Sequence, residues 1–356
     1  VKDVSKAKQP RIQFICRAGV RIGLGHLMRT RTVAVEIAPN ANIEVVVIGD
    51  ADIARTTLTD GAHWIAVDND WQAFERVQSH DPQLVVFDLL EFDPRLMQYM
   101  VNQRRTATIS PVFDGMAEMD AVFTRAALPE DIASRLEKPV IHAGPRFATI
   151  GPHCQRIHQR QFARNLQADP LAVAVSMGGA DAANHTLRIL EAIRDVDAPL
   201  LIWALLGEGY SHSYQALVDC VSRDTRHEII LAKTRDSMWR ILSGCSVAIL
   251  AGGITTFEAA YAGIPAIVIL DRPSDRFLID DLTNTGAAIV AGAPVEDAAL
   301  RATTQLIGDL NADRDRLANM HRAGQALLDE QGASRIAREL LGLCGAARNE
   351  RVAACG

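Results

Sequence analysis

The sequence predicts two doubly wound parallel α/β domains facing one another across a cleft, and three observations carry that expectation. Short apolar runs alternate with helix-period segments from residue 11 to residue 341, the order of parallel sheets wrapped by helices. Those runs are nearly continuous in Val, Ile, Leu and Phe rather than alternating, as strands covered on both faces are. The chain has 356 residues and 48% hydrophobic content, more than one core usually organises, since single cores stop growing at ~250–300 residues.

In the first half, strands are expected at 12–16, 43–48, 63–67, 84–87 and 108–110, with helices at 27–37, 71–80 and 94–105. The second half repeats the plan. Its strands fall at 171–176, 200–205, 228–231, 247–250, 266–270 and 288–290, and its helices at 184–194, 213–221, 237–243, 256–261, 276–285 and 312–328. A polar, Arg- and Gln-rich stretch lies between Gly151-Pro152 and Pro170. The expected layout is an N-terminal domain over 11–152, a linker over 153–169, a C-terminal domain over 170–332, a last helix over 333–341 and a loose tail over 342–356.

Net charge is −6, with a pI near 5.9. A diffuse acidic balance offers no counterion-release term, so no nucleic-acid partner is expected. A small nucleotide is still accessible, because helix N-termini and backbone amides hold phosphate without net positive charge. The six cysteines form no C-x-x-C pair and no His/Cys cluster at metal-ligand spacing, so no metal is expected, and Cys16 and Cys245 read as small core residues. His142, His153 and His158 likewise show no i, i+4 pairing. This cysteine usage fits a reduced, cytoplasmic protein. Val1 to Pro10 is polar, so no secretory signal is expected, and no run reaches the ~18 apolar residues of a spanning helix, so neither is stable membrane insertion.

Ligands of doubly wound folds bind beyond the C-terminal ends of the strands, and three such loops are rich in glycine. The first reads Arg17-Ala18-Gly19-Val20-Arg21-Ile22-Gly23-Leu24-Gly25-His26. Gly23 and Gly25 allow a tight turn and close approach to a ligand, and His26 opens the next helix, where the dipole favours a neutral imidazole suited to a general base. The alternative is an ordinary turn with a space-filling histidine. A dinucleotide-binding loop, with Asp50 as the ribose acid, is disfavoured because Met28 stands at the third glycine position. The second loop, Met177-Gly178-Gly179-Ala180-Asp181, precedes Asn184, a good N-cap; Asp181 would meet a sugar hydroxyl or cap the helix. The third, Gly252-Gly253-Ile254-Thr255-Thr256-Phe257-Glu258, suits a pyrophosphate at a helix N-terminus, with Glu258 on the ribose hydroxyls. Thr255-x-x-Glu258 is equally a capping box.

Taken together, Arg21 to Arg29, Ser176 to Asp181 and Gly253 to Pro265 resemble the PseG/SpsG-like family, UDP-2,4-diacetamido-2,4,6-trideoxy-β-L-altropyranose hydrolases and their relatives in spore-coat polysaccharide synthesis. Gly144-Pro145-Arg146-Phe147-Ala148 and Asp329 to Ile336 are similar to two further family segments, so the likeness spans about residues 11–340. The third loop also resembles the UDP-binding turn of MurG-like glycosyltransferases. The resemblance implies the GT-B architecture, two Rossmann-like domains, and a UDP-sugar as substrate with no cofactor or metal. It also implies His26 as the catalytic base, and Gly178, Gly179, Gly252, Gly253, Thr255 and Glu258 around the nucleotide. Gly23, Gly25, Asp88, Asp181, Ser274 and Asp275 would lie on the sugar side.

Three departures bear on the sugar. The family's Asp-His-Tyr is Asp88-Leu89-Leu90, its Asn-Gln is Ser274-Asp275, and an arginine common after the Gly-Pro segment is Gly151. The expected function is hydrolysis of a UDP-linked amino or deoxy sugar with inversion, in nonulosonic-acid or surface-polysaccharide synthesis. Two alternatives stand beside it. One is a GT-B glycosyltransferase with an organic acceptor, which the basic stretch 156–164 would approach; the other is a non-catalytic nucleotide-sugar scaffold. The oligomeric state is left open.

Overall fold

The computed structural model describes residues 9–19, 22–58, 63–233, 238–293 and 295–345. Arg21 of the first loop, Ser237 at the start of an expected helix, and the tail from residue 346 lie outside the described residues.

The first lobe runs β1 (Arg11–Ala18), α1 (Gly25–Ile37), β2 (Asn42–Gly49), α2 (Ala51–Thr57), β3 (His63–Val67), α3 (Asp70–His80), β4 (Leu84–Asp88), α4 (Pro94–Gln103), β5 (Arg105–Thr108), β6 (Ala121–Thr124), α5 (Glu130–Ala133) and β7 (Val140–Ala143). Its sheet is parallel throughout, in the order β3-β2-β1-β4-β5-β6-β7. Strands β1 and β4 are buried along nearly their whole length, as the continuous apolar runs require.

After α6 (Gln159–Gln167), the second lobe runs β8 (Leu171–Ser176), α7 (His185–Ile193), β9 (Leu200–Leu206), α8 (Tyr214–Ser222), β10 (Glu228–Lys233), α9 (Met238–Leu242) and β11 (Val247–Ala251). It continues through α10 (Ile254–Ala262), β12 (Ala266–Ile269), a 3-10 stretch (Pro273–Ile279), α11 (Asp280–Asn284), β13 (Ala288–Gly292), α12 (Asp297–Ala312) and α13 (Arg314–Leu327). Its parallel sheet has the order β10-β9-β8-β11-β12-β13.

Both sheets reverse their winding direction once, between β1 and β4 and between β8 and β11. Neighbouring connections leave in opposite directions there and open a crevice at the strand C-termini. The loops after β1, β4, β8 and β11 therefore converge on one region.

Three expectations about the chain need correction. Two short strands, β6 and β7, extend the first sheet where none was expected, and α12 fills 297–312. The region 153–169 is not spacer throughout, because α6 sinks Phe162 into the second lobe's core, stacked on His321 with ring centroids 4.2 Å apart. The last helix, α14 (Gly332–Gly345), returns to the first lobe, where Ala333, Ile336, Ala337 and Leu340 join the core under α1. The backbone thus passes between the lobes twice.

Candidate functional site

The β1–β4 switch point holds a buried polar cluster. Asp88, the last residue of β4, has no exposed side-chain surface. Its Oδ1 lies 2.7 Å from His26 Nδ1, on the first turn of α1. Arg29, one turn further, forks onto both carboxylate oxygens, with Nε 3.0 Å from Oδ2 and a guanidinium nitrogen on Oδ1, and Thr30 donates to Oδ2 at 3.2 Å. Burial by itself raises the Asp88 carboxyl; the Arg29 charge and the hydrogen bonds from His26 and Arg29 outweigh it and hold the group below the usual carboxylate range. An ionised Asp88 fixes the tautomer, so Nδ1 carries hydrogen and Nε2 is left as the acceptor. Nε2 makes no hydrogen bond among the described residues, and the His26 side chain keeps 14% of its surface exposed. Asp88 is thus corrected from a sugar contact to the residue that orients His26.

Across the gap stands α10. Its N-cap is Gly253, with no side-chain cap, and no acidic residue occupies its first turn. The capping box read from Thr255-x-x-Glu258 does not form, because Glu258 Oε1 instead accepts the Gly151 N–H at 3.0 Å, 107 residues away. A Cβ at Gly151 would stand 2.8 Å from that oxygen, so the glycine found at the family's arginine position is what lets the backbone reach Glu258. Burial pushes the Glu258 carboxyl up to about 7, with the Gly151 N–H pulling the other way. The Gly253 N–H turns inward onto the Ala251 carbonyl at 2.7 Å, so the open amides are those of Ile254 and Thr255. Gly252 is a packing residue, since a Cβ there would come within 2.2 Å of Leu270 Cδ2.

The β8 loop closes the floor. Gly178 adopts φ +92°, open to glycine, and Gly179 lies against Leu24 of the first lobe, which a Cβ would meet at 3.0 Å. Asp181 does not face the cleft. It is buried, and its two oxygens accept the N–H groups of His185 at 2.7 Å and Thr186 at 2.9 Å, capping α7 in place of Asn184. Ser274 is exposed and Asp275 is paired with Arg272 at 3.0 Å; neither lines the cavity between the lobes. Gly23, at φ +88°, shapes the turn before α1 by bonding back to Gly19 at 2.8 Å.

A cavity of about 790 Å³ occupies the gap, within the range of ligand sites. Leu24, Gly25 and Met28 line one side; Gly178, Gly179, Gly253, Thr255 and Glu258 line the other. His26 is not among the residues that line this space, although its neighbour Gly25 is. One residue escaped the sequence reading altogether. Arg125, just after β6, is 9% exposed and reaches across to the second lobe, donating to the Gly252 carbonyl at 3.4 Å with its guanidinium 5.1 Å above the Phe257 ring. Burial lowers it to about 9, the like charge of Arg29 adding to the effect and Asp88 and Asp275 opposing it. The only sequence signal was a lone cation in the apolar run 121–128. Among the described residues, no group of three or more His, Cys, Asp or Glu is placed to hold a metal ion.

Two parallel α/β lobes, with glycine loops meeting at both switch points, define the GT-B fold. MurG of Acinetobacter baumannii superposes over 94% of this chain and 100% of its own, with a TM-score of 0.66 at 14% identity. The UDP-GlcNAc 2-epimerase of Neisseria meningitidis, bound to UDP-GlcNAc, covers 93% of this chain and 100% of its own, with a TM-score of 0.61 at 11% identity. In sequence, the chain is similar to the spore coat polysaccharide biosynthesis protein SpsG of Bacillus subtilis, 22% identical over 334 residues, 89% of this chain and 94% of that protein. An uncharacterized protein of Methanocaldococcus jannaschii is 21% identical over 283 residues; the match takes in 76% of this chain but only 58% of that relative's length. No family model matches the chain.

Proposed function

We propose that this protein is an enzyme that hydrolyses a UDP-linked amino or deoxy sugar, as PseG/SpsG-like hydrolases do, within polysaccharide or nonulosonic-acid synthesis. The observation that carries the reading is the His26–Asp88 pair, its histidine directly after Gly25, which lines a ligand-sized cavity shared with residues of the uncapped N-terminus of α10. The α10 amides would hold the diphosphate and Glu258 the ribose hydroxyls. Water attacks the anomeric carbon from the side opposite the phosphate, giving its proton to His26 Nε2 as the C1–O bond breaks and UDP departs. Asp88 holds the ring and stabilises the imidazolium. The similarity to SpsG supports the pathway, and the small exposed share of His26 favours water over a bulky nucleophile.

Transfer to an organic acceptor is the second reading. The cavity continues along α1 past Arg31, Thr32 and Val35, which is room for an acceptor. A panel of UDP-sugars, followed for UDP release with and without acceptors and with EDTA, separates the two. Release in water alone, unaffected by EDTA, is the expected result. Release only with an acceptor establishes transfer, and tight binding without turnover leaves a scaffold.

A further inference from the structure

The inference rests on the donor-cleft reading and adds a residue to it. Arg125 projects from the C-terminal end of the first sheet into the seam between the lobes. It is more than nine-tenths buried, its Nε has no hydrogen-bond partner, and no carboxylate among the described residues lies within ion-pair distance. A guanidinium keeps its charge at neutral pH. Such a buried cation, with no carboxylate in contact and only the longer-range attraction of Asp88 and Asp275, is unfavourable unless a closer counter-charge arrives. A purely structural latch would not need the charge, since a 3.4 Å bond to one carbonyl and contact with Phe257 are within reach of a neutral side chain.

The bond to Gly252 places that charge one residue from Gly253, which lines the cavity and caps the nine-residue helix α10. Arg125 also feels the charges of Arg29 and Asp88, the groups that hold His26, and of Asp275. We propose that Arg125 is the counter-charge for the donor's diphosphate, closing from the first lobe onto phosphates held by the α10 amides. It neutralises the oxygen that keeps the electron pair of the broken C1–O bond. The site is then incomplete in either lobe alone.

Calorimetric titration of the wild type, Arg125→Met and Arg125→Lys with UDP, uridine and inorganic pyrophosphate tests this. The expected result is a loss of UDP affinity of roughly tenfold or more in Arg125→Met, as fits a charge-assisted contact. Uridine affinity should be unchanged and pyrophosphate binding weakened. Arg125→Lys should recover part of the UDP affinity. Because UDP and uridine are compared within one variant, partial unfolding moves both and cannot imitate the result. Equal losses for UDP and uridine, or none for UDP, overturn the assignment. So does a loss confined to UDP-glucuronic acid relative to UDP-glucose, which moves the cation to a sugar carboxylate. A wild type that binds UDP beside an unaffected Arg125→Met sinks only this proposal. A wild type that binds no UDP sinks the donor-cleft reading itself.

Discussion

At the scale of single residues, the proposed chemistry divides between a base that must be aimed and an acid that must be ionised. His26→Ala is expected to reduce turnover by roughly 10²–10⁴-fold, the usual contribution of a general base, while UDP affinity stays within about twofold. Steady-state kinetics beside calorimetry checks both halves, and an unchanged rate would remove His26 from the reaction. Asp88→Asn should lower kcat more than KM, because an amide no longer demands a hydrogen on Nδ1. Glu258 gives a pH signature. In the proposed site its carboxyl would accept both ribose hydroxyls best when ionised, so UDP affinity should fall as pH drops through about 7 and the dependence should vanish in Glu258→Gln. Stability runs the other way. A group raised from 4.5 to about 7 on folding favours the native state below the lower value and loses that contribution, about 3 kcal/mol at most, as pH rises through the higher. Glu258→Gln should therefore gain in thermal midpoint relative to the wild type at pH 8 and lose that advantage at pH 4.5; an equal offset at both would refute the buried-acid account.

At the scale of elements, helix ends decide which polar groups remain for a ligand. Asp181 occupies both leading amides of α7, whereas α10 has no such side chain. Asp181→Ala should cost ~0.5–2 kcal/mol in denaturant unfolding and leave KM for the donor unchanged; a shifted KM would return Asp181 to the sugar site. Helix α10 is also held from behind. A Cβ on Gly324 of α13 would come within 2.5 Å of the Ala260 carbonyl, so Gly324→Ala should destabilise by ~1–3 kcal/mol and weaken UDP binding as α10 is pushed aside. These details mark where sequence reasoning stops. The long buried strands and the glycine loops were legible, because apolar runs and turn residues report on their own neighbourhood. Strands β6 and β7 were not, being only four residues each, with two positions of β7 exposed. Thr255-x-x-Glu258 was left between two readings for a related reason. Whether Glu258 turns to its own helix or to Gly151 depends on a contact 107 residues away, which no local pattern contains. Asp88 and Arg125 share that blind spot: their types were plain, but their burial was set by tertiary packing.

At the scale of the molecule, neither lobe would carry the whole of the proposed site, since His26 and Arg125 belong to the first lobe and the N-terminus of α10 to the second. The α14 return joins the lobes structurally as well. Leu340→Ala, fully buried under α1, should cost ~2–5 kcal/mol, with hydrogen exchange rising first in β1, β2 and α1 rather than in the second sheet.

That return has a consequence for biogenesis. Domains generally mature on the ribosome in order of emergence, the leading one first. Here the leading lobe must wait, because the helix that seals its hydrophobic interior is encoded at 332–345, beyond every strand of the trailing lobe. The lobe made second can finish first, and until residues 332–345 have emerged the nascent first lobe carries an open apolar seam for chaperones to shield.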